Sequence, residues 1–268
     1  MHGYVPSDRF FSYLTWPQIA AMPDKANTLI IQPMGAVEQH GPHLPLVVDA
    51  AIATAVVGQA LHKLDKTIPA YALPTLCYGK SNEHWSFPGT VTLLASTMMA
   101  VLTEMAESIY RAGFRKLLLI NGHGGQPQIL EIVARDLREQ HPDFEIFPLS
   151  VWGAPHRAAE LVGADEYDQG IHAGDTETSV MLALLPDQVN MAEAVREFPM
   201  NFAPGSLLSL EGRLPTAWTM ADLSKSGVVG DATVATAEKG EAILASVTDG
   251  WVKVFEEIYR FEGLHPVA

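Results

Sequence analysis

Three short segments of the sequence concentrate the side chains that bind divalent metal ions. They combine imidazoles and carboxylates with glycines, and they span residues 35–49, 121–126 and 172–179. Imidazole and carboxylate ligands without thiolate suit Zn, Mn or Fe, and one shared carboxylate can bridge two ions. A metal-dependent active site is therefore the chemistry to test first.

Each segment alone also has a simpler interpretation. Asp49 can cap the helix that follows it, and Asp175 and Glu177 can act as partners of a helix dipole. The glycine-rich turn around His123 resembles a nucleotide-binding loop, but it lacks both the G-x-G-x-x-G spacing and the lysine of a phosphate-binding loop. The three segments together favour the metal site over these alternatives.

The elements that must position these side chains follow from the apolar pattern. Short apolar runs at 28–34 and 116–120 predict strands buried on both faces, and 68–76 and 144–151 are weaker strand candidates. Helical spacing of apolar residues predicts helices through 98–112, 129–137 and 243–258. This alternation is typical of an α/β fold with a mostly parallel sheet.

One region breaks the alternation. Residues 190–230 are rich in Pro, Gly and Met with poor periodicity, which predicts long ordered loops that form a lid or a subunit contact. No composition break divides the chain, so we expect one domain over residues 1–268.

Composition excludes several functional classes. The 268 residues carry 17 Lys plus Arg against 31 Asp plus Glu, a net charge of -14, so a nucleic-acid backbone would be repelled. No segment has the pattern of a secretory signal or a membrane span. The single Cys77 excludes an internal disulfide. We expect a cytoplasmic protein that binds neither nucleic acid nor a membrane.

Read in order, the motifs of this chain resemble the creatininase family of metal-dependent amidohydrolases. The matching motifs are Gly35-x-x-Glu38-x-His40-Gly-Pro-His43-Leu-Pro with Asp49, His84-x-x-Phe87-Pro-Gly-Thr90, Asn121-Gly-His123-Gly-Gly, His172-Ala-Gly-x-x-Glu177-Thr-Ser and Gly227-Val-Val-Gly-Asp231. The resemblance implies a three-layer α/β/α fold with two divalent ions per subunit at the carboxyl ends of the strands. Zn and Mn are the leading candidates, and Fe is a third.

The resemblance also assigns the ligands. It implies that Glu38, Asp49 and His123 hold one ion and that His40 and Asp49 hold the other, with Asp49 bridging. In creatininase a carboxylate two residues after the motif histidine completes the second site, but this chain has Gly125 there. We expect Glu177 to supply the missing carboxylate.

The same resemblance implies a mechanism. A hydroxide that bridges two cations would attack an amide carbonyl, because the cations lower the pKa of a bound water towards neutrality. We expect His172 to deliver a proton to the leaving nitrogen, since imidazole titrates near neutral pH. A structural role for His172 is the alternative.

The substrate expected from the resemblance is a small-molecule amide with a non-peptide C–N bond, such as creatinine or a related lactam. Family members with the Gly-Gly turn look more like formamide deformylases and peptide-trimming enzymes, and Gly124 replaces an aromatic residue that contacts substrate in creatininase. A catalytically silent metal-binding scaffold is a further alternative. His84, Gly124 and Trp152 are the expected substrate contacts, and the expected assembly is a homo-oligomer, commonly a hexamer in this family.

Overall fold

The computed structural model describes residues 4–199, 206–212 and 214–264. Its helices are α1 Trp16–Ala20, α2 Val48–Lys63, α3 Ala95–Arg111, α4 Pro127–Gln140, α5 Ala158–Leu161, α6 Ala164–Gln169, α7 Asp175–Leu184, α8 Met220–Leu223 and α9 Ala237–Arg260. Its strands are β1 Leu29–Met34, β2 Ala70–Ala72, β3 Lys116–Asn121, β4 Glu145–Ser150, β5 Arg196–Glu197 and β6 Gly230–Asp231.

Strands β1 to β4 form the central sheet. Within the described residues the sheet has four strands in the order β2-β1-β3-β4, all parallel. Leu29 lies opposite Lys116, and Lys116 lies opposite Glu145, so the three longest strands are aligned along their whole length. Both β1 and β3 are buried along their whole length, as the continuous apolar runs predict.

Helices cover both faces of this sheet. Leu29 and Ile31 face the core shared with α2, α7 and α9, whereas Ile30 and Met34 face the core shared with α3 and α4. Successive side chains of a strand point to opposite faces, so one strand contributes to both cores. The predicted three-layer α/β/α class is confirmed.

Helix boundaries follow from local chemistry. Helix α3 ends before Gly113, which has a φ of 102° in the left-handed region that favours glycine at helix ends. Pro127 occupies the first position of α4, where its missing N–H costs nothing. Thr236 caps α9 by accepting a hydrogen bond from the Lys239 backbone N–H. No helix in the described ranges is both long enough and apolar enough to cross a membrane.

Residues 190–230 contain short elements between loops. Strand β5 pairs antiparallel with β6, and α8 contributes one turn of helix. Part of the predicted loop region, residues 200–205 and 213, lies outside the described residues. Its role as a lid or a subunit contact stays a prediction, as does the single domain over residues 1–268.

The strand order reverses at β1. Strand β2 lies on one side of β1 and β3 on the other, so the loops that follow β1 and β3 diverge at the carboxyl edge of the sheet. Open α/β sheets bind ligands in the crevice at such a reversal. All three predicted clusters meet here.

Candidate metal centre

The first cluster lies on the loop between β1 and α2. The side chains of Glu38, His40 and Asp49 are all buried, each no more than 2% exposed. A Cβ on Gly35 would lie 2.4 Å from the Ala50 backbone nitrogen, so glycine is needed where the start of α2 passes the end of β1. This close approach places Asp49, the second residue of α2, beside Glu38.

The second cluster follows β3. The side chain of Asn121 donates to the His123 carbonyl at 2.6 Å and accepts from the His123 backbone N–H at 3.1 Å, which fixes the turn. A Cβ on Gly122 would lie 2.6 Å from the Asp49 carbonyl oxygen. The Asn-Gly-His motif therefore brings His123 directly against the start of α2.

The third cluster opens α7. Ala173 has a φ of 54°, an unfavourable left-handed conformation for a non-glycine residue, and its N–H donates to Glu177 Oε2 at 2.6 Å. Asp175 instead binds Lys239 Nζ at 2.5 Å. Of the two carboxylates in this first turn, Glu177 joins the other clusters, and Asp175 has a structural role.

Asp49 lies between two histidines. Its Oδ1 is 3.1 Å from His40 Nε2, and its Oδ2 is 3.3 Å from His123 Nδ1. Glu38 Oε2 lies 3.1 Å from the same nitrogen of His123, and Glu177 Oε2 lies 3.9 Å from His40 Nε2. The five predicted ligands thus converge in space, and each oxygen of Asp49 faces a different histidine.

Both histidines have the orientation of metal ligands. His40 Nδ1 is 3.2 Å from the Glu38 carbonyl oxygen, and His123 Nε2 is 2.9 Å from the Lys80 carbonyl oxygen. A carbonyl only accepts, so these two nitrogens carry protons, and the opposite ring nitrogens face the carboxylates. A metal-binding histidine typically donates its other N–H in this way.

The cluster attracts positive charge. Burial opposes charge on His40, but Asp49, Glu177 and Glu38 outweigh it and raise the pKa of His40 to about 10. Burial and the neighbouring Asp49 carboxylate raise the pKa of Glu177 to about 7 despite the opposing effect of His40. Carboxylates crowded in a buried site need a cation among them.

Two buried oxygens support the same conclusion. Glu38 Oε2 and Asp49 Oδ2 have no hydrogen-bond partner among the described residues, although both face His123 Nδ1. The potential ligand atoms form three groups, each within 4.8 Å: Glu38, His40 and His172; Glu38, Glu83 and His123; and His40, Asp49 and Glu177. Hard oxygens and imidazole nitrogens fit a divalent cation such as Zn or Mn.

His172 lies between the rings of His40 and His84, with centroid distances of 4.2 and 4.5 Å. Its Nε2 donates to the Gln39 carbonyl oxygen at 2.7 Å, so Nδ1 faces Glu38 Oε1 at 3.9 Å. Burial, together with both neighbouring histidines, lowers the pKa of His172 well below its ordinary value. The hydrogen bond from Nε2 leaves Nδ1 as the ring nitrogen that faces the cluster and can accept a proton there.

Gln39 is a positioning residue that the sequence did not reveal. Its side-chain amide donates to His84 Nδ1 at 2.8 Å and to the Gly227 carbonyl at 3.1 Å. Gly227 has a φ of 84°, and a Cβ there would lie 2.0 Å from Gln39 Oε1. The only sequence signal for Gln39 is its place between Glu38 and His40.

A cavity of about 870 Å³ opens above the cluster. The predicted substrate contacts His84, Gly124 and Trp152 all line it, as do Leu210 and Trp218. Their role in substrate binding stays a prediction, because contact with the cavity does not identify what fills it.

A sequence model described as "Creatininase: Creatinine amidohydrolase" matches residues 12–255 of this chain. The chain belongs to the creatininase family. Within the family, a mycofactocin precursor peptide peptidase of Mycolicibacterium smegmatis is 36% identical, with 83% of this chain and 82% of that protein covered. A creatinine amidohydrolase of Pseudomonas putida is 30% identical, with 92% of this chain and 96% of that protein covered.

Solved creatininases have the same fold as this family member. A structure named "Creatininase Mn" superposes with a TM-score of 0.78 at 29% identity, with 94% of this chain and 99% of that chain covered. A mutant creatininase of Zn-Zn type gives a TM-score of 0.73 at 28% identity, with 94% and 98% covered. The chain is therefore a creatininase-family hydrolase with groups of residues suited to metal binding.

Proposed function

We propose that this chain is a dinuclear metal-dependent amidohydrolase that trims a peptide-sized amide substrate. The observation that carries the proposal is the cavity of about 870 Å³ directly above the cluster. Drug-sized ligands typically occupy pockets of roughly 300–1,000 Å³, so this cavity has room for a substrate larger than creatinine. The peptidase name of the 36% identical relative supports the same substrate class.

The predicted ligands form two sets, one for each ion position. Glu38 and His123 would hold one ion, His40 and Glu177 would hold the other, and Asp49 would contribute one oxygen to each. Bound divalent cations supply a hydroxide nucleophile at neutral pH and polarise the carbonyl that is attacked. The carbonyls that accept from His40 and His123 keep both rings oriented for this task.

His172 supplies the proton transfer. Its Nδ1 faces the cluster while its Nε2 donates to the Gln39 carbonyl oxygen. Nδ1 can take a proton released by the attacking water and pass it to the leaving nitrogen. The Gln39 hydrogen bond fixes the tautomer that this transfer requires.

A small cyclic amide is the second candidate. The 30% identical creatinine amidohydrolase aligns over 96% of its length, and "Creatininase Mn" superposes closely. Gly124, which lines the cavity without a side chain, favours the larger substrate. The small-molecule substrate, the homo-oligomer and the cytoplasmic location stay predictions.

A substrate screen tests the proposal. The metal-loaded protein is incubated with a peptide library, with creatinine and other lactams, and with formamides, and the products are identified by mass spectrometry. We expect release of short fragments from peptides. Cleavage of creatinine alone would favour the second candidate.

A variant that cannot bind metal controls this screen. Asp49→Asn keeps the side-chain shape but removes the charge that both ion positions share. Turnover by the wild type and none by the variant would exclude contaminating hydrolases. Metal binding without turnover of any tested amide would favour the silent scaffold.

A further inference from the structure

Glu83 is a buried carboxylate that none of the predicted roles uses. It lies in a 3-10 turn at 82–84, and the residue is 8% exposed. Its Oε1 has no hydrogen-bond partner among the described residues. A buried carboxylate oxygen without a hydrogen bond is costly, so a cation bound at Oε1 would stabilise it.

The other oxygen of Glu83 is already occupied. Lys80 Nζ lies 2.8 Å from Glu83 Oε2, which fixes the carboxylate and directs Oε1 towards His123. Oε1 lies 3.3 Å from His123 Nε2, but that nitrogen already donates to the Lys80 carbonyl at 2.9 Å. A hydrogen bond to His123 therefore does not account for the position of Oε1.

Gly125 makes room for this carboxylate. A Cβ at position 125 would lie 1.7 Å from Glu83 Oε1, which no pair of nonbonded atoms tolerates. Any side chain at 125 would therefore displace Glu83. The Glu83 carboxylate can therefore occupy this space only because residue 125 is glycine.

We propose that Glu83 is a further ligand of the ion held by Glu38 and His123. The three side chains offer ligand atoms that lie within 4.8 Å of one another, and all three are buried. This inference rests on the metal centre of the proposed function. It does not depend on the substrate.

Metal binding by Glu83→Gln tests the assignment. The amide keeps the volume and the shape of the side chain but loses the charge and weakens the donor oxygen. We expect the variant to retain one ion instead of two after dialysis, and the Kd of the lost ion to rise at least about 100-fold, beyond the range of outer-shell changes. Elemental analysis and competition with a chromogenic chelator measure both quantities.

The absorption spectrum of bound Co²⁺ separates a ligand from a positioning residue. Loss of a ligand changes the d–d bands, whereas loss of an outer contact leaves them nearly unchanged. Two ions per chain with an unaltered Co²⁺ spectrum in Glu83→Gln would overturn the proposal. This readout needs no substrate, so a failed substrate screen leaves it intact.

A double variant that moves the carboxylate from position 83 to position 125 tests whether metal binding can be restored. In Glu83→Ala/Gly125→Glu, a carboxylate is supplied beside His123 from position 125, and we expect binding of the ion that Glu83→Gln loses to return. Glu160→Gln is the matched control, because Glu160 also pairs with a basic residue three positions earlier but is exposed. Two bound ions in Glu160→Gln but only one in Glu83→Ala/Gly125→Glu would contradict the argument that a carboxylate at 125 can replace Glu83.

Discussion

The cavity has two parts that differ in burial. Its floor is formed by the predicted metal ligands, and its rim is formed by loop residues between 206 and 218. Floor residues such as Glu38, Asp49 and His123 lie at strand ends or at the start of α2 and are at most 3% exposed. Rim residues such as Leu210, Glu211 and Trp218 lie on loops between 206 and 218, and each is exposed or partly exposed. The floor is held by the sheet, whereas Leu210 and Trp218 of the rim pack against the small cluster of Met220, Leu223 and Val229.

This difference suggests separate roles, with the floor carrying the chemistry and the rim setting the substrate specificity. Glycines at 35 and 122 let backbone segments approach within distances that no side chain would permit, so the floor has little freedom to change. The rim tolerates substitution, because exposed loop residues contribute little to packing. Family members can therefore share one metal centre and still bear names as different as peptidase and creatinine amidohydrolase.

The largest effect is expected from Asp49→Asn on the floor. The variant removes the negative charge of a carboxylate that lies 3.1 Å from His40 Nε2 and 3.3 Å from His123 Nδ1. We expect both ions to be lost and kcat/KM to fall at least about a thousandfold, since metal ions contribute several kcal/mol to transition-state stabilisation. Elemental analysis and turnover of the substrate found in the screen measure this.

Asp249→Asn is the matched control, because Asp249 lies on the surface and pairs with Lys63 at 2.7 Å. Its metal content and activity should equal those of the wild type. Retention of both ions by Asp49→Asn would remove the basis for calling Asp49 a bridging residue.

The next effect is expected from His172→Ala. Nδ1 of the ring lies 3.9 Å from Glu38 Oε1, beyond hydrogen-bond distance, so this carboxylate does not hold it in place. We expect kcat to fall about 10²- to 10⁴-fold, the usual contribution of a general acid–base group, with metal content unchanged. Loss of an ion in this variant would instead place His172 among the metal ligands.

The floor could largely be predicted from the sequence. Continuous apolar runs identified β1 and β3, and glycine-rich segments directly after them indicated ligand-binding turns. Within one cluster, the sequence could not tell a metal ligand from a structural carboxylate, because Asp175 and Glu177 both lie in the first turn of α7. Only the structure shows that Asp175 binds Lys239 and that Glu177 joins His40.

Two features escaped prediction for a physical reason. Glu83 precedes His84 in a segment without periodicity, and its position depends on a turn that packs against His123 from 40 residues away in sequence. The region 190–230 has no regular hydrophobic pattern, so the contacts that form the rim cannot be derived from spacing. Local patterns predict elements, whereas these contacts are tertiary.

A smaller effect is expected from Trp152→Ala at the wall of the cavity. Trp152 follows β4 and lines the cavity, but it contacts none of the predicted ligands through an ion pair or a hydrogen bond among the described residues. We expect KM to rise about 10-fold with kcat nearly unchanged, the pattern of lost uniform binding. Steady-state kinetics distinguish the two parameters.

Trp16→Ala is the control, since Trp16 is 80% exposed and lies on α1. A fall in kcat for Trp152→Ala would instead assign Trp152 to the floor.

The smallest effect concerns the hydrogen bonds between Glu197 and residues 224–226. Glu197 accepts hydrogen bonds from Ser224 Oγ at 2.8 Å and from the Lys225 and Ser226 N–H groups at 2.8 and 3.0 Å. Burial raises the pKa of Glu197, but the contacts with Ser226, Lys225 and Ser224 outweigh it and lower the pKa to about 2. These residues lead directly to Gly227, whose carbonyl accepts from Gln39.

The sign of the pH dependence follows from this lowered pKa. The ionised form of Glu197 stabilises the folded state above the ordinary glutamate pKa, and that contribution is lost as the pH falls from about 4.5 to about 2. Glu197→Gln should lower the free energy of unfolding by about 1 kcal/mol at pH 7, because solvent screens a group near the surface. Thermal unfolding of both proteins at pH 7 and at pH 2.5 measures the difference, which should shrink at the lower pH. An equal difference at both pH values would show that the charge of Glu197 does not fasten the segment.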